Sequence, residues 1–181
     1  MATPTLEREG LYQELLGIAR HSFGTYVVES SSPVLVDSAD QQLMALFKEL
    51  YDKELYYVER AYELLDKAGL RPLPPMYSLK ASNYNFLRPL KLAEHWREAV
   101  GEEIAHLEGL KGRVAPDDPR GRDFERLVDD FLALRRESAR RVAEMHAGLA
   151  PKPPPPAPAP SAPAPAATAP PAPPPAPPAK P

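Results

Sequence analysis

Apolar residues recur every three or four positions along four long stretches of this chain, and the period fails between them at breaks rich in proline, serine and glycine. The first stretch, about 5–30, puts Leu11, Leu15, Ile18, Ser22 and Tyr26 on one helical face with Ala19 and Phe23 beside it, and the Ser30-Ser-Ser-Pro33 run stops it. The second, about 38–68, carries Leu43, Leu46, Phe47, Leu50, Glu54, Tyr57, Ala61, Leu64, Leu65 and Ala68; Ser38 and Gln41 read as its capping box, Gly69 as its C-cap and Pro72 as its stop. The third, about 89–111, opens on Pro89, lines up Leu90, Ala93, Trp96, Val100, Ile104 and Leu107, and ends at Gly112. The fourth, about 119–148, follows a cap at Asp118 and aligns Phe124, Leu127, Phe131, Leu134, Ser138, Val142, Met145 and Leu149. No strand period interrupts them, so the fold class is all-α. Helices near 40 Å long, at about 1.5 Å per residue, must bury their stripes on one another as a four-helix bundle. Short first and last connections and a long one over Arg71–Arg88 predict two antiparallel hairpins joined by a crossover, with a simple up-and-down bundle as the competing topology.

Composition changes this picture at one end. Residues 151–181 are almost wholly proline and alanine, with Ser161, Thr168, Lys152 and Lys180 as exceptions. Such a segment offers few donors and little to bury, so it is expected to be a disordered, semi-extended tail, leaving residues 1–150 as one domain. The net charge is −3, and since Lys152 and Lys180 contribute +2, residues 1–150 carry −5. That balance gives no footprint for nucleic acid or an anionic membrane surface. No apolar run approaches the roughly 20 residues of a membrane span. The start is charged where a signal peptide would be apolar, and the absence of cysteine removes disulfide and thiol chemistry, so a cytoplasmic protein is expected.

Candidate chemistry centres on Glu54, which falls in the middle of an apolar stripe, between Leu50 and Tyr57/Ala61. A carboxylate there is desolvated unless something meets it. One reading pairs it with Arg97 and the Tyr57 hydroxyl as a buried polar cluster; the other makes it a metal ligand. Glu94, Glu98 and Glu103 on the third helix are the further candidate ligands, Glu103-Ile-Ala-His106 being the one literal Glu-x-x-His. His106 points away from that helix's apolar face, His21 away from its own, and His146 lies near a helix end. The inward positions of the fourth helix are apolar apart from Ser138. There is no Gly-rich phosphate loop, and Gly24, Gly101 and Gly109 fall inside helices, where they read as sites of close approach. No catalytic constellation emerges.

The stretch from Glu54 through Leu-Tyr-Tyr-Val-Glu-Arg-Ala-Tyr-Glu-Leu-Leu-Asp-Lys-Ala to Gly69, with Asn83-Tyr-Asn-Phe-Leu87 and Leu92-Ala-Glu-His-Trp-Arg97, resembles the ferritin-like, rubrerythrin-related bacterial bundles. The resemblance spans about residues 10–148 and implies a ferritin-like fold with an ancestry in diiron chemistry. It also implies degenerate metal motifs: the family's Glu-x-x-His on the second helix matches Glu54 and Tyr57, and that on the last helix matches Glu137 and Arg140. The expectation is therefore a non-catalytic bundle without cofactor, serving as a structural or protein-interaction module, with a protein partner or self-association as a homodimer through the sides of the long helices. The alternative is a dimetal oxidoreductase or ferroxidase holding two iron or manganese ions on Glu54, Glu94, Glu98 and Glu103. A third expectation is an adaptor tethered through its tail.

Overall fold

The computed structural model describes residues 4–73, 83–114 and 119–149; the tail, the Asp118 cap and the middle of the Arg71–Arg88 connection lie outside the described residues. Among the described residues every regular element is helical: α1 (Pro4–Arg20), α2 (Phe23–Thr25) leading into a π turn (Tyr26–Ser30), α3 (Ser38–Lys67), α4 (Pro89–Leu110) and α5 (Pro119–Leu149). None is long and apolar enough to cross a membrane.

The first helix is the one element that departs from its pattern. Its period runs unbroken to Ser30, yet α1 stops at Arg20 and the chain restarts at Ser22, whose backbone is extended (φ −60°, ψ 154°). The Ser22 hydroxyl accepts from the Thr25 N–H at 3.0 Å, so its side chain caps α2 as a serine in mid-helix is prone to do. The following turn is wound wide, with Ser31 N–H donating to Tyr26 C=O at 2.9 Å, a five-residue step.

The other ends follow from local chemistry. The cap of α3 is Asp37 rather than Ser38: its carboxylate accepts from Asp40 N–H at 3.0 Å, and Asp40 in turn accepts from Val36 N–H at 2.9 Å. This reciprocal arrangement wins over Ser38-x-x-Gln41 because Asp40 is also met by Arg88 Nε at 2.9 Å and Leu90 N–H at 3.3 Å, which tie the start of α3 to the start of α4. At the other end of α3, Gly69 takes φ 71° and Leu70 N–H reaches back to Leu65 C=O at 3.0 Å, closing the helix as a left-handed residue does. Pro89 occupies the first turn of α4, where its missing N–H costs nothing.

Paired residues give the helix directions. Between α3 and α5, Glu49 meets Arg141, Glu54 meets Arg135 and the Tyr57 ring stacks on Phe131, so the two run antiparallel. Between α4 and α5, Trp96 meets Ser138, Glu103 meets Arg135 and Lys111 meets Asp129, again antiparallel. Consequently α3 and α4 are parallel, as Asp40 beside Leu90 and Phe47 stacked on Trp96 at 4.7 Å require. The first helix opposes α3, with Gln13 at Arg71 and Ser22 at Glu54.

The core is divided. One apolar cluster gathers Leu11, Leu15, Ala61, Leu65, Leu107, Phe124, Val128 and Phe131. The other gathers Phe23, Val27, Leu43, Phe47, Leu50, Leu92, Trp96, Val100 and Val142. On α3 the gap between them falls at Glu54, on α5 at Arg135 and Ser138, and at the α1–α2 break at Ser22.

Candidate functional site

A buried polar layer fills that gap. Glu54 is 1 % exposed, Arg135 and Ser22 are fully buried, and the Glu103 side chain keeps 14 % of its surface. One Glu54 oxygen accepts from Arg135 Nη1, and the other accepts from the Ser22 hydroxyl at 2.7 Å. Glu103 reaches over from α4: Oε1 accepts from the Phe23 N–H at 2.7 Å, and Oε2 lies 2.9 Å from Arg135 Nη2. That last approach is off the N–H direction, so it is an ion contact without a hydrogen bond, and among the described residues Arg135 Nε and Nη2 donate none. The guanidinium also lies 5.0 Å over the Phe131 ring.

Each member is held by a reason of its own. Ser22 is presented by the break before α2, and the same break exposes the Phe23 N–H, an unpaired first-turn donor that Glu103 satisfies. Gly24 completes the seat: a Cβ there would stand 2.8 Å and 2.9 Å from the two Glu54 oxygens. Of the three helix glycines read as points of close approach, Gly24 is one, and what approaches is a carboxylate; a Cβ on Gly101 or Gly109 would meet nothing within 4 Å. Trp96 donates to the Ser138 hydroxyl at 3.2 Å at the edge of the layer.

Two carboxylates face one guanidinium, so with both ionised the layer has one negative charge in excess. Burial pushes the Glu103 carboxyl above its ordinary value, against the pull of Arg135 and of the Phe23 N–H, and the Glu54 charge adds to the rise.

The expected residues separate accordingly. Glu54 and Glu103 come together. Glu94 and Glu98 are exposed, and Glu94 is held below its ordinary value by a hydrogen bond from Lys91. Arg97 is exposed and is not the partner of Glu54, because the inward register of α4 passes through Ala93, Trp96 and Val100. Tyr57 is not in the cluster either; its hydroxyl donates to the Asp130 carbonyl at 3.2 Å. His106 is exposed and the His95 ring packs 5.0 Å from Tyr84. Glu137 and Arg140 pair with each other on the surface of α5, where Arg140 also meets Glu144.

The residue missed by the stripe is Arg135. Val128, Phe131, Arg135, Ser138 and Val142 keep a faultless three-four spacing, and all are buried. The neighbouring row of Leu127 and Leu134 is more apolar and conceals it, so the inward face of α5 is not the apolar surface expected.

A dimetal centre of the kind the resemblance implies does not fit these residues. A guanidinium has no lone pair to give, and Arg135 lies between the two carboxylates that would have to share a cation. Among the described residues no three histidine, aspartate or glutamate side chains are grouped to hold a metal ion. What the layer offers chemically is an internal cation, two acceptors and a hydroxyl, each engaged in holding helices together. No protein-family model, curated protein or solved structure matches the chain.

Proposed function

We propose that this chain is a four-helix bundle of ferritin-like topology whose dimetal centre has been replaced by an ion-pair layer, and that it acts as a non-catalytic structural or protein-interaction module. The observation that carries the reading is the Arg135 guanidinium between Glu54 and Glu103. A fixed positive charge in that position supplies what a bound cation supplies, compensation of buried carboxylates, without open coordination positions for chemistry. The parallel course of α3 and α4 supports the topology, since a crossover between the second and third helices makes those two parallel. The partner it implies is a protein, either another chain or a second copy of this one.

Iron titration of the purified full chain, read by calorimetry and by oxygen uptake, tests the reading. The expected result is no stoichiometric tight binding and no iron-dependent oxygen consumption. Tight binding of two irons per chain with oxygen-dependent turnover would overturn it.

A further inference from the structure

The segment before α3 has an unusual account of its backbone groups. It is extended at both ends, with Ser31 at φ −79°, ψ 158° and Asp37 at φ −146°, ψ −176°. Val34 N–H donates to the Leu87 carbonyl at 3.2 Å and Val36 N–H to Asp40 Oδ2 at 2.9 Å. In an extended chain the backbone groups of alternate residues address the same side, so the Val34 and Val36 N–H groups are directed at the body of the protein and those of Leu35 and Asp37 are directed away from it. Among the described residues neither the Leu35 nor the Asp37 N–H donates a hydrogen bond. The side chains are apolar and open to solvent: Val34 is 44 % exposed, Leu35 52 %, Val36 63 %, and nearby in sequence to Leu87, Phe86 is 72 % exposed at φ 63°. Two unused amides beside the exposed Val34, Leu35 and Val36 side chains present what the open edge of a strand presents.

We propose that residues 33–37 pair antiparallel with the same residues of a second copy, about a two-fold axis at Leu35. The triplet Val34-Leu35-Val36 reads the same in both directions, so this register places Leu35 opposite Leu35 and each Val34 opposite a Val36. The two leucines exchange both of their backbone bonds. At the flanks, Asp37 N–H meets the carbonyl of the other copy's Pro33. The reverse bond is neither needed nor available, because Pro33 has no N–H and the Asp37 carbonyl already accepts from Gln41 N–H at 3.3 Å. The Leu35 and Asp37 N–H groups each find a partner, and no group is asked for twice. Each Asp37 faces a proline instead of another aspartate, and it keeps its own Arg88 at 2.6 Å. The far side of the segment is taken by Leu87 and Asp40, so the pairing closes at two copies and does not propagate.

This gives the interaction-module reading a partner and rests on it, but the two fail separately: a monomeric chain removes the dimer alone, whereas iron turnover removes the module. Sedimentation velocity of the full chain between about 1 and 300 µM is expected to show a reversible monomer–dimer equilibrium. Leu35→Asp, which sets two carboxylates against each other at the axis, is expected to weaken it at least ~10-fold, with the helical signal unchanged and with Tm unchanged at concentrations where the parent is monomeric. The chain has no cysteine, so Leu35→Cys supplies a single thiol. Its Cα would lie about 5.5 Å from its mate, within disulfide reach, and mild oxidation is expected to give a covalent dimer. The exposed Glu102→Cys on α4 serves as the control and is expected to stay monomeric. A monomer at every concentration, a dimer indifferent to Leu35→Asp, or Leu35→Cys cross-linking no faster than the control would each overturn the proposal. If Leu35→Asp fails to fold, the cysteine comparison decides.

Discussion

At the residue scale the protein turns on Glu54 and what was arranged to receive it. Its two oxygens are held by Arg135 and Ser22, one each, and withdrawal from Gly24 would stretch both bonds. Gly24→Ala, ordinarily a mild change in a helix, should here cost about 1–3 kcal/mol by overpacking a fixed group, measured by urea denaturation. An unchanged midpoint would show that the carboxylate moves aside. Glu103 makes a prediction of the opposite sign. Its carboxyl is raised above the ordinary 4.5, so the folded protein holds that proton more tightly than the unfolded chain does. Its contribution is complete below pH 4.5 and is lost as pH rises through the folded value. Glu103→Gln keeps an acceptor for the Phe23 N–H and removes the titration. The stability of the variant relative to the parent should therefore increase as pH is raised from about 4.5 to 8, followed by thermal melts across pH. A difference constant across that range would reject the account.

At the scale of elements, the ends decide how the helices meet. Asp40 joins the cap of α3 to the first turn of α4, accepting from Val36, Leu90 and Arg88. Burial would raise its carboxyl, but the Val36 N–H, the Arg88 side chain and the Leu90 N–H together hold it below its ordinary 3.8. The sign is the reverse of that at Glu103: this stability is present above pH 3.8 and is lost as pH falls through the depressed folded value. Asp40→Ala should cost about 1–3 kcal/mol near neutral pH, because buried donors lose their acceptor. That deficit should shrink on acidification, as melts at pH 7 and pH 3 can check. The break at Ser22 belongs to this scale too. A serine and a glycine in a continuous apolar period are compatible with a straight helix, and nothing within residues 5–30 announces that the chain stops and recaps. The break becomes favourable once α3 and α4 deliver two buried carboxylates that need the Ser22 hydroxyl and the Phe23 N–H.

For the whole molecule, the polar layer separates two apolar clusters and touches every long helix, since Ser22 follows α1, Glu54 is on α3, Glu103 on α4 and Arg135 on α5. Removing Arg135, the cation between them, leaves Glu54 and Glu103 opposed. Arg135→Met should therefore destabilise the fold by about 3–5 kcal/mol, whereas the triple variant Glu54→Gln/Glu103→Gln/Arg135→Met should recover most of the loss. Equilibrium unfolding in urea compares the three proteins. A triple variant as unstable as the single one would mean that the layer matters through its packing and not through its charge.

Much of the architecture was legible in the sequence because it depends on period and punctuation. Three of the helices begin and end within a few residues of where stripes, Pro89, Gly69 and Gly112 put them. The buried position of Glu54 was legible for the same reason, as a polar residue in an apolar row. Its partner was not. Arg97 and Arg135 both sit beside apolar rows, and a helical period fixes the direction of a side chain only to within a residue or so. The choice between them depends on how α4 and α5 are rotated about their axes, which is settled when Trp96 and Phe131 are packed. The sequence by itself thus determined the helical class, the lengths of three of the long helices and the presence of a buried carboxylate. Only the tertiary structure decided that an arginine compensates it, because charge pairing inside a core is fixed by packing between elements distant in the chain.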